Sequence, residues 1–566
     1  MLKAVAPNRS VYSCIGQIPF HWCKTPPPAV WFSKSKAVFA GAFLLIQSQP
    51  YMKIAFVEDT IRFSIPLGIS GIAAMLRQGG HEPGLFVIGN DADKTIDRIA
   101  AYRPDAVAFS VISGSHQGYY AFAQRLKDTT GIPTIWGGPH PTFFPEMVEL
   151  PFADAVCVGE AEESSLDFAN RFDAEGGRFP LDVPNFWVKR GDTIQKNPVR
   201  ARNRSLDDLP YPARDLYTDQ FPVLRNHGIK HFLAHRGCPY KCTYCFNESF
   251  NQLYKEQAGD KKVFMSRTPD NIVDEILWLR QRVPVRMVAF VDDVFTLHRR
   301  WTMEFAEVYA RRCRIPFSIN TRFDNVDPEV VSAMADAGLR LVYAGVESGD
   351  EFIRNTVMKR QMTEQSMVDA AELYKKHGVK LLTENVVGVP GETLDSAMRT
   401  LSVNMKIKPD IANASVFAPY PKLEMTRYAV EKGYFDGDFN RLNSNYYHDS
   451  VLKFDDPADK NRILNLRCFF SILSHHPWLL RFVRPLLEMK PNAAFRTFGD
   501  LVDGFYLKRC VAYKFSAGDF LTTLRHFIAN YRRGSAAGRT AEAKRPVVVS
   551  AAGVRQDQTQ SPTTKN

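Results

Sequence analysis

No apolar stretch in this 566-residue chain reaches the roughly 18 residues that a membrane-spanning helix needs. The nine cysteines are odd in number and mostly scattered, which argues against a secreted disulfide framework. No short repeat is visible, so a solenoid is not expected. Hydrophobic residues make up 45% and charged residues 23%, which excludes a disordered or collagen-like chain and leaves material for several cores. A chain-wide charge bias is also missing. The formal charge of +11 arises beyond residue 460, where 12 basic and 4 acidic residues lie between Asn461 and Arg533. A basic C-terminal region is not a general nucleic-acid signature, and no nucleic-acid partner is expected.

At about 150 residues per domain, the length allows three or four domains. Residues 1–51 read as an extension or an upstream-start artefact. The run Ala37–Ile46, behind Lys34 and Lys36, resembles the apolar core of a signal peptide, but it lies far from Met1 and no cleavage site follows. Met52-Lys-Ile-Ala-Phe-Val begins a strand directly.

Residues 52–175 alternate strands (Lys53–Glu58, Leu85–Gly89, Asp105–Val111, Pro133–Gly137, Asp154–Gly159) with helices (Leu67–Gln78, Lys94–Tyr102, Gln117–Thr129, a short one near Glu146, Glu162–Phe172). Such alternation predicts a parallel, doubly wound, flavodoxin-like sheet that binds ligands at the carboxyl ends of its strands. Residues 176–225 are rich in proline and read as a linker with a small hairpin. Within residues 226–430 six further βα units predict a second parallel sheet, open or barrel-like. Its strands are His231–Arg236, Arg286–Asp292, Phe317–Thr321, Leu339–Val346, Val379–Val387 and Ala412–Ala418. Its helices are Asp270–Gln281, Arg300–Arg312, Pro328–Ala337, Met362–His377 and Leu394–Ile407. Residues 431–533 look helical, and residues 534–566 read as a disordered tail.

Three of the cysteines, Cys238, Cys242 and Cys245, follow the first strand of the second sheet at C-x3-C-x2-C spacing. A structural zinc site takes four protein ligands, and no fourth Cys or His lies close by. An iron–sulfur cluster held by three thiolates leaves one iron open to an outside ligand. With an aromatic before its last cysteine, the motif resembles that of the radical S-adenosylmethionine superfamily. The resemblance covers about Phe232 to Tyr420 and implies a partial (β/α)6 barrel. It also implies a 4Fe–4S cluster whose open iron chelates S-adenosylmethionine, and reductive cleavage to a 5′-deoxyadenosyl radical. The electron comes from an external flavodoxin- or ferredoxin-type reductant.

Further landmarks of that superfamily have counterparts here. Asp292 and Asp293 end the second barrel strand, where the family contacts the methionine amino group; the alternative is a helix cap or a solvated turn. Gly345-Val-Glu347-Ser-Gly349 resembles the family's Gly-Ile-Glu-Ser-Gly, which implies contact of Glu347 with the ribose or amino group. Arg322 either pairs with the S-adenosylmethionine carboxylate or forms a structural salt bridge. Tyr244 either lies near the adenine or is a core aromatic. Gly388-Val-Pro-Gly-Glu392-Thr matches a turn that is mainly architectural, with Glu392 near a helix cap. Pro419-Tyr-Pro-Lys-Leu-Glu-Met-Thr426 departs from the family's Pro-Tyr-Pro-Gly-Thr.

A flavodoxin-like sheet directly before such a barrel is similar to the cobalamin-binding subclass. Trp136-Gly137-Gly138-Pro-His140, Val156-Cys-Val-Gly159-Glu160 and the serines Ser110, Ser113 and Ser115 match its corrin-binding strand ends and the loop around the nucleotide tail. The motif Asp-x-His-x-x-Gly is absent, so no lower histidine ligand is expected from the first loop. His140 is either a ligand or, more simply, a hydrogen-bonded turn histidine.

The subclass implies a cytoplasmic, oxygen-sensitive enzyme that most readily methylates an unactivated carbon through cobalamin. The alternatives are a cyclase of the anaerobic magnesium-protoporphyrin ester type, a cobalamin-free radical enzyme and a non-catalytic corrinoid-binding module. The substrate is expected to be a small or lipid-like molecule. The basic, apolar stretches His475–Leu487 and Phe520–Arg533 read as helices on the barrel or as a peripheral membrane contact.

Overall fold

The computed structural model describes residues 51–89, 91–202, 205–442 and 449–513. Ala37–Ile46, Phe520–Arg533 and residues 534–566 lie outside the described residues.

The first layer follows the alternation of the sequence. In chain order it comprises β1 (Lys53–Glu58), α1 (Leu67–Gln78), β2 (Glu82–Val87), α2 (Ala92–Tyr102), β3 (Ala106–Ser110), α3 (His116–Thr130), β4 (Thr134–Gly137), α4 (Pro139–Phe143), β5 (Ala155–Cys157) and α5 (Glu162–Phe172). The hairpin expected within residues 176–225 forms, as β6 (Phe186–Arg190) and β7 (Thr193–Lys196), but it extends this sheet and is not a free linker element. The strand order is β2-β1-β3-β4-β5-β6-β7, parallel up to β5 and antiparallel beyond it. Apolar alternation explains the addition: Phe186 and Val188 point into the core, where Phe186 stacks on Phe168 at 4.3 Å.

Two short helices, α6 (Asp215–Thr218) and α7 (Pro222–Asn226), lead to the second layer. This layer holds β8 (Ile229–Phe232), β9 (His235–Arg236), α8 (Phe246–Ala258), β10 (Met265–Ser266), α9 (Pro269–Arg280), β11 (Met287–Phe290), α10 (Arg299–Arg312), β12 (Phe317–Thr321), α11 (Pro328–Ala337) and β13 (Leu339–Glu347). A π-turn at Ile353–Val357 follows, then α12 (Glu364–Lys376), β14 (Lys380–Val387), α13 (Leu394–Ile407), β15 (Ile411–Val416) and α14 (Glu424–Glu431). Six parallel strands stand in the order β8-β11-β12-β13-β14-β15, each next to its successor, as in a partial barrel. Local signals fix the helix ends. Asp327 caps α11 by accepting the N–H groups of Glu329 and Val330, Pro328 opens it, and Gly338 ends it in the left-handed conformation.

The C-terminal helices α15 (Pro457–His475), α16 (Leu480–Leu487) and α17 (Ala493–Cys510) close the barrel. Ile463, Leu466 and Phe470 of α15 pack on Ala412, Ala414 and Val416, and Arg467 donates to the Ala414 carbonyl at 3.1 Å. One face of the edge strand β15 is thereby covered, and its Ala414 carbonyl is satisfied. Tyr506 and Cys510 of α17 pack on Met287, Leu341, Leu382 and Ile411, near the amino-terminal ends of their strands. The cysteine loop lies at the opposite, carboxyl ends of the strands.

Candidate functional site

The loop that carries Cys238, Cys242 and Cys245 emerges from β9 and enters α8. All three thiols are free; the first two are buried and Cys245 is half-buried at the N-cap position of α8. Burial, reinforced by the nearby Asp293, pushes the Cys238 thiol up to about 12, and burial raises Cys245 as well. A bound cation is what would hold such groups as thiolates. Two side-chain donors are already aimed at sulfur: Arg322 Nη1 at Cys242 Sγ and Asn247 Nδ2 at Cys245 Sγ, both 3.6 Å. Among the described residues no three Cys, His, Asp or Glu side chains converge on a single ion. Three free thiols with N–H donors at two of them fit a cluster with several irons.

The residues expected to bind S-adenosylmethionine divide into two groups. Asp293 is exposed beside the cysteines. Asp292 is fully buried, and its Oδ1 accepts the N–H groups of Ala234 (3.0 Å) and His235 (2.5 Å). It braces the turn between β8 and β9, and burial pushes its carboxyl up to about 8. Glu347 sits at a bulge of β13 with φ +61° and pairs with Arg360 at 3.2 Å. Arg360 Nη1 also donates to the Tyr244 hydroxyl at 2.7 Å, and Nη2 to the Gly345 carbonyl at 2.9 Å. Arg322 spends its fork inside the protein. Nε and Nη2 bind the Asp324 carboxylate at 2.8 Å each, Nη2 also reaches the Arg360 carbonyl, and the guanidinium lies 3.8 Å over the Tyr240 ring. Glu392 is architectural, as the motif suggested: its Oε2 accepts the N–H groups of Gly388 and Val389 just before the capping box of α13.

In the first layer a narrow apolar slot of about 60 Å³ opens between the sheet and helices α1 and α5, lined among others by Ile54, Phe56, Ile69, Ala108 and Phe168. Ser110, Gly137 and Gly138 also line it. Gly138 has φ +93°, and a Cβ there would stand 2.8 Å from the Val111 nitrogen and 3.0 Å from Ser110 Oγ. A narrow apolar slot with glycine and serine at its end suits the flat nucleotide tail of a corrinoid. His140 does not point a free nitrogen at it. Its Nδ1 is hydrogen-bonded to Ser113 Oγ (2.9 Å), its Nε2 to the Tyr120 hydroxyl (2.8 Å), and its ring stacks on His116 at 4.4 Å. Burial, with His116 adding to it, holds its pKa well below the usual histidine range.

Gly159 and Glu160 also join the two layers. The Glu160 N–H donates to the Tyr254 hydroxyl of α8 at 2.7 Å, and a Cβ on Gly159 (φ +83°) would collide with that hydroxyl at 2.5 Å. Arg236 pairs with Glu160 at 3.4 Å and with Glu162 at 2.5 Å. Burial would raise Glu162, but Arg236 overrides it and holds the carboxyl below its ordinary range. Sequence reasoning singled out none of Arg236, Glu162, Tyr254, Asn247 and Arg360. The one available signal was the position of Arg236, directly before Gly237-Cys238.

Residues 62–169 match the B12 binding domain, and residues 233–403 match the Radical SAM superfamily. Over 377 residues the chain is 27% identical to an uncharacterized methyltransferase of Pyrococcus horikoshii, covering 64% of this chain and 78% of that one. It is also 27% identical to the anaerobic magnesium-protoporphyrin IX monomethyl ester cyclase of Rubrivivax gelatinosus, over 63% of this chain and 64% of the cyclase. Among solved structures, the fold is similar to that of the cobalamin-dependent S-adenosylmethionine radical enzyme OxsB. That match has a TM-score of 0.59 and 16% identity, covering 85% of this chain and 84% of that one. The chain thus carries a radical S-adenosylmethionine domain. More particularly, a B12-binding domain stands ahead of it, and these domains imply a 4Fe–4S cluster, S-adenosylmethionine and cobalamin. No helix among the described residues is long and apolar enough to cross a membrane.

Proposed function

We propose that this enzyme is a cobalamin-dependent methyltransferase acting on an unactivated carbon of a small or lipid-like substrate, in the cytoplasm, with an external one-electron reductant. The observation that carries the reading is the clasp of Arg236 with Glu160 and Glu162. It ties the loop of Cys238, Cys242 and Cys245 to the turn between β5 and α5, whose Ala161 lines the apolar slot. A radical methyl transfer needs its two reactive centres held close together.

When bound, the cluster supplies the electron that cleaves S-adenosylmethionine, and cobalamin supplies the methyl carrier. The protein's own residues hold and orient. Cys238, Cys242 and Cys245 are the cluster ligands, with Arg322 and Asn247 donating to two of their sulfurs. Asp293 accepts hydrogen bonds from the methionine ammonium. Glu347, fixed by Arg360, reaches the ribose or amino group, and Tyr244 flanks the adenine. Asp292 and Arg322 act through the loop they brace. Ser110, Gly137 and Gly138 receive the nucleotide tail, while Ser113 and His140 build the wall behind it. With both nitrogens engaged, His140 would serve as part of the wall and not as a metal ligand.

Ring formation of the cyclase type is the second reading, favoured by the equal identity to the Rubrivivax cyclase. Anaerobic reconstitution with iron, sulfide and hydroxocobalamin, followed by desalting, tests the proposal. Near one corrinoid and four irons per chain is the expected result. Four irons without corrinoid sinks the methyl-transfer mechanism. S-adenosylhomocysteine released together with 5′-deoxyadenosine selects methylation over cyclisation, and Cys238→Ala should abolish both the cluster absorbance and 5′-deoxyadenosine.

A further inference from the structure

The C-terminal helices carry an outward face that neither the fold nor the cofactor sites use. Both α16 and α17 rest on α15: Val483 and Leu487 turn inward from α16, as do Phe495, Gly499 and Tyr506 from α17. The opposite sides are apolar too. Trp478, on the turn leading into α16, then Phe482 and Met489 follow at helical spacing, and the Trp478 and Phe482 rings meet edge-to-face at 6.3 Å. On α17 the outward series is Leu501 and Phe505, with Phe498 at its edge, where its ring also meets that of Phe469 on α15 at 5.6 Å. These six side chains are between 40% and 66% exposed. Single exposed apolar residues are ordinary, but two helical stripes of large ones mark a surface that meets something apolar.

Positive charge predominates around the stripes. Arg481, Arg484, Lys490, Lys508 and Arg509 are all exposed. Arg481 lies 4.5 Å over the Phe482 ring, and Arg509 lies 5.6 Å from that of Phe505. The acidic groups nearby are paired towards the body of the protein: Glu488 with Arg462 at 2.9 Å, Asp500 and Asp503 with Arg467 at 3.5 and 3.6 Å. The outward aspect is therefore cationic and aromatic, with arginine stems lying along apolar rings.

We propose that this face docks the enzyme on an anionic phospholipid surface. Aromatic and leucine side chains enter the interfacial zone while the flanking arginines and lysines meet lipid phosphates. A second copy would bring five exposed cations against five others, which opposes self-association. The chain that follows, residues 514–566, carries nine basic and three acidic residues, so its charge also matches poorly with a cationic face. An anionic bilayer complements both the charge and the apolar stripes. The inference goes beyond the reaction and holds whichever chemistry the barrel performs. Because α17 packs at the amino-terminal ends of the barrel strands, a docked molecule would keep its cysteine loop turned away from the lipid.

The test is co-sedimentation of the full reconstituted chain with vesicles of phosphatidylcholine alone and of phosphatidylcholine doped with phosphatidylglycerol. Binding to the doped vesicles only, weakened by added salt, is expected. The variant F482S/L501S/F505S should lose at least about tenfold in partitioning, since interfacial binding scales with buried apolar area. The charge reversal R481E/R484E/R509E should abolish the preference for anionic lipid. Both sets of residues are exposed, and iron content together with far-ultraviolet circular dichroism confirms that each variant is folded and loaded. Absence of binding to doped vesicles overturns the proposal. So does wild-type partitioning by the folded variants, or a dimer that dissociates in F482S/L501S/F505S without vesicle binding.

Discussion

Arg322 holds its Nη1 3.6 Å from the sulfur of Cys242 while Asp324 and the Arg360 carbonyl occupy the rest of its fork. A cation fixed beside a ligand sulfur withdraws electron density from a bound cluster and favours its reduced form. Arg322→Met should therefore make the cluster midpoint potential more negative, by about 30–60 mV if the contact is worth roughly 1 kcal/mol. Arg322→Lys should shift it less. Spectroelectrochemical titration without S-adenosylmethionine reads the effect. An unchanged potential combined with weaker S-adenosylmethionine binding would instead place Arg322 on the substrate carboxylate.

His140 and Gly138 make opposite predictions at the slot. His140→Ala removes a ring whose two nitrogens serve Ser113 and Tyr120, so stability should fall by about 1–3 kcal/mol. The Co(II) electron paramagnetic resonance spectrum of bound cobalamin should keep the same axial pattern. Gly138→Ala forces a Cβ into the Val111 backbone at a positive φ, at a cost of about 1–3 kcal/mol. Corrinoid retained after desalting should drop in that variant even where the fold survives.

The clasp between the layers should be sensitive to removal of its cation. Arg236→Leu leaves Glu160 and Glu162 facing each other without a partner, and loss of about 3–5 kcal/mol is expected. Glu162 is depressed, so its contribution is present above its ordinary carboxylate range and lost as pH falls through the lower folded value. The wild type should lose stability on acidification below about pH 4.5, and Arg236→Leu should lose less over the same range. Denaturant melts between pH 3 and pH 7, roughly the carboxylate range, separate the two.

Glu392 has the reverse sign. Burial raises its carboxyl from 4.5 to about 8, so the folded state binds the proton more tightly than the unfolded one. Its stabilisation is full below pH 4.5 and is lost as pH rises through about 8. Glu392→Gln cannot ionise, so it should flatten that decline. It should be the less stable protein at low pH only if the protonated acid makes a bond that glutamine does not. Urea melts across this window check the slope.

The elements legible from local signals were found where expected. Leu67–Gln78, Glu162–Phe172, Phe317–Thr321, Pro328–Ala337 and Leu394–Ile407 have the same bounds in the sequence reading and in the fold, because caps, prolines and apolar periodicity lie within each segment. Helix α8 was not read. Its apolar residues Phe250, Leu253 and Tyr254 pack against the first layer, a partner far away in sequence. The cysteine triplet could be read because its ligands are contiguous. Asp292 and Arg322 could be placed at strand ends, but whether each points at a ligand or at its own loop depends on Ala234, His235, Asp324 and Arg360, which neighbour them only in the fold. The hairpin was visible as a hairpin, yet its attachment to β5 depended on Phe168.

Helix α8 has one more consequence. It is capped by Cys245 and carries Tyr254, which touches Gly159 and Glu160, so a single helix links the cysteine loop to the turn after β5, beside the apolar slot. Nine residues of α-helix rise about 14 Å. A helix of that length is a ruler: it sets the spacing between the cysteine loop and the turn after β5. In the proposed reaction, the methyl group or the substrate carbon would do the moving.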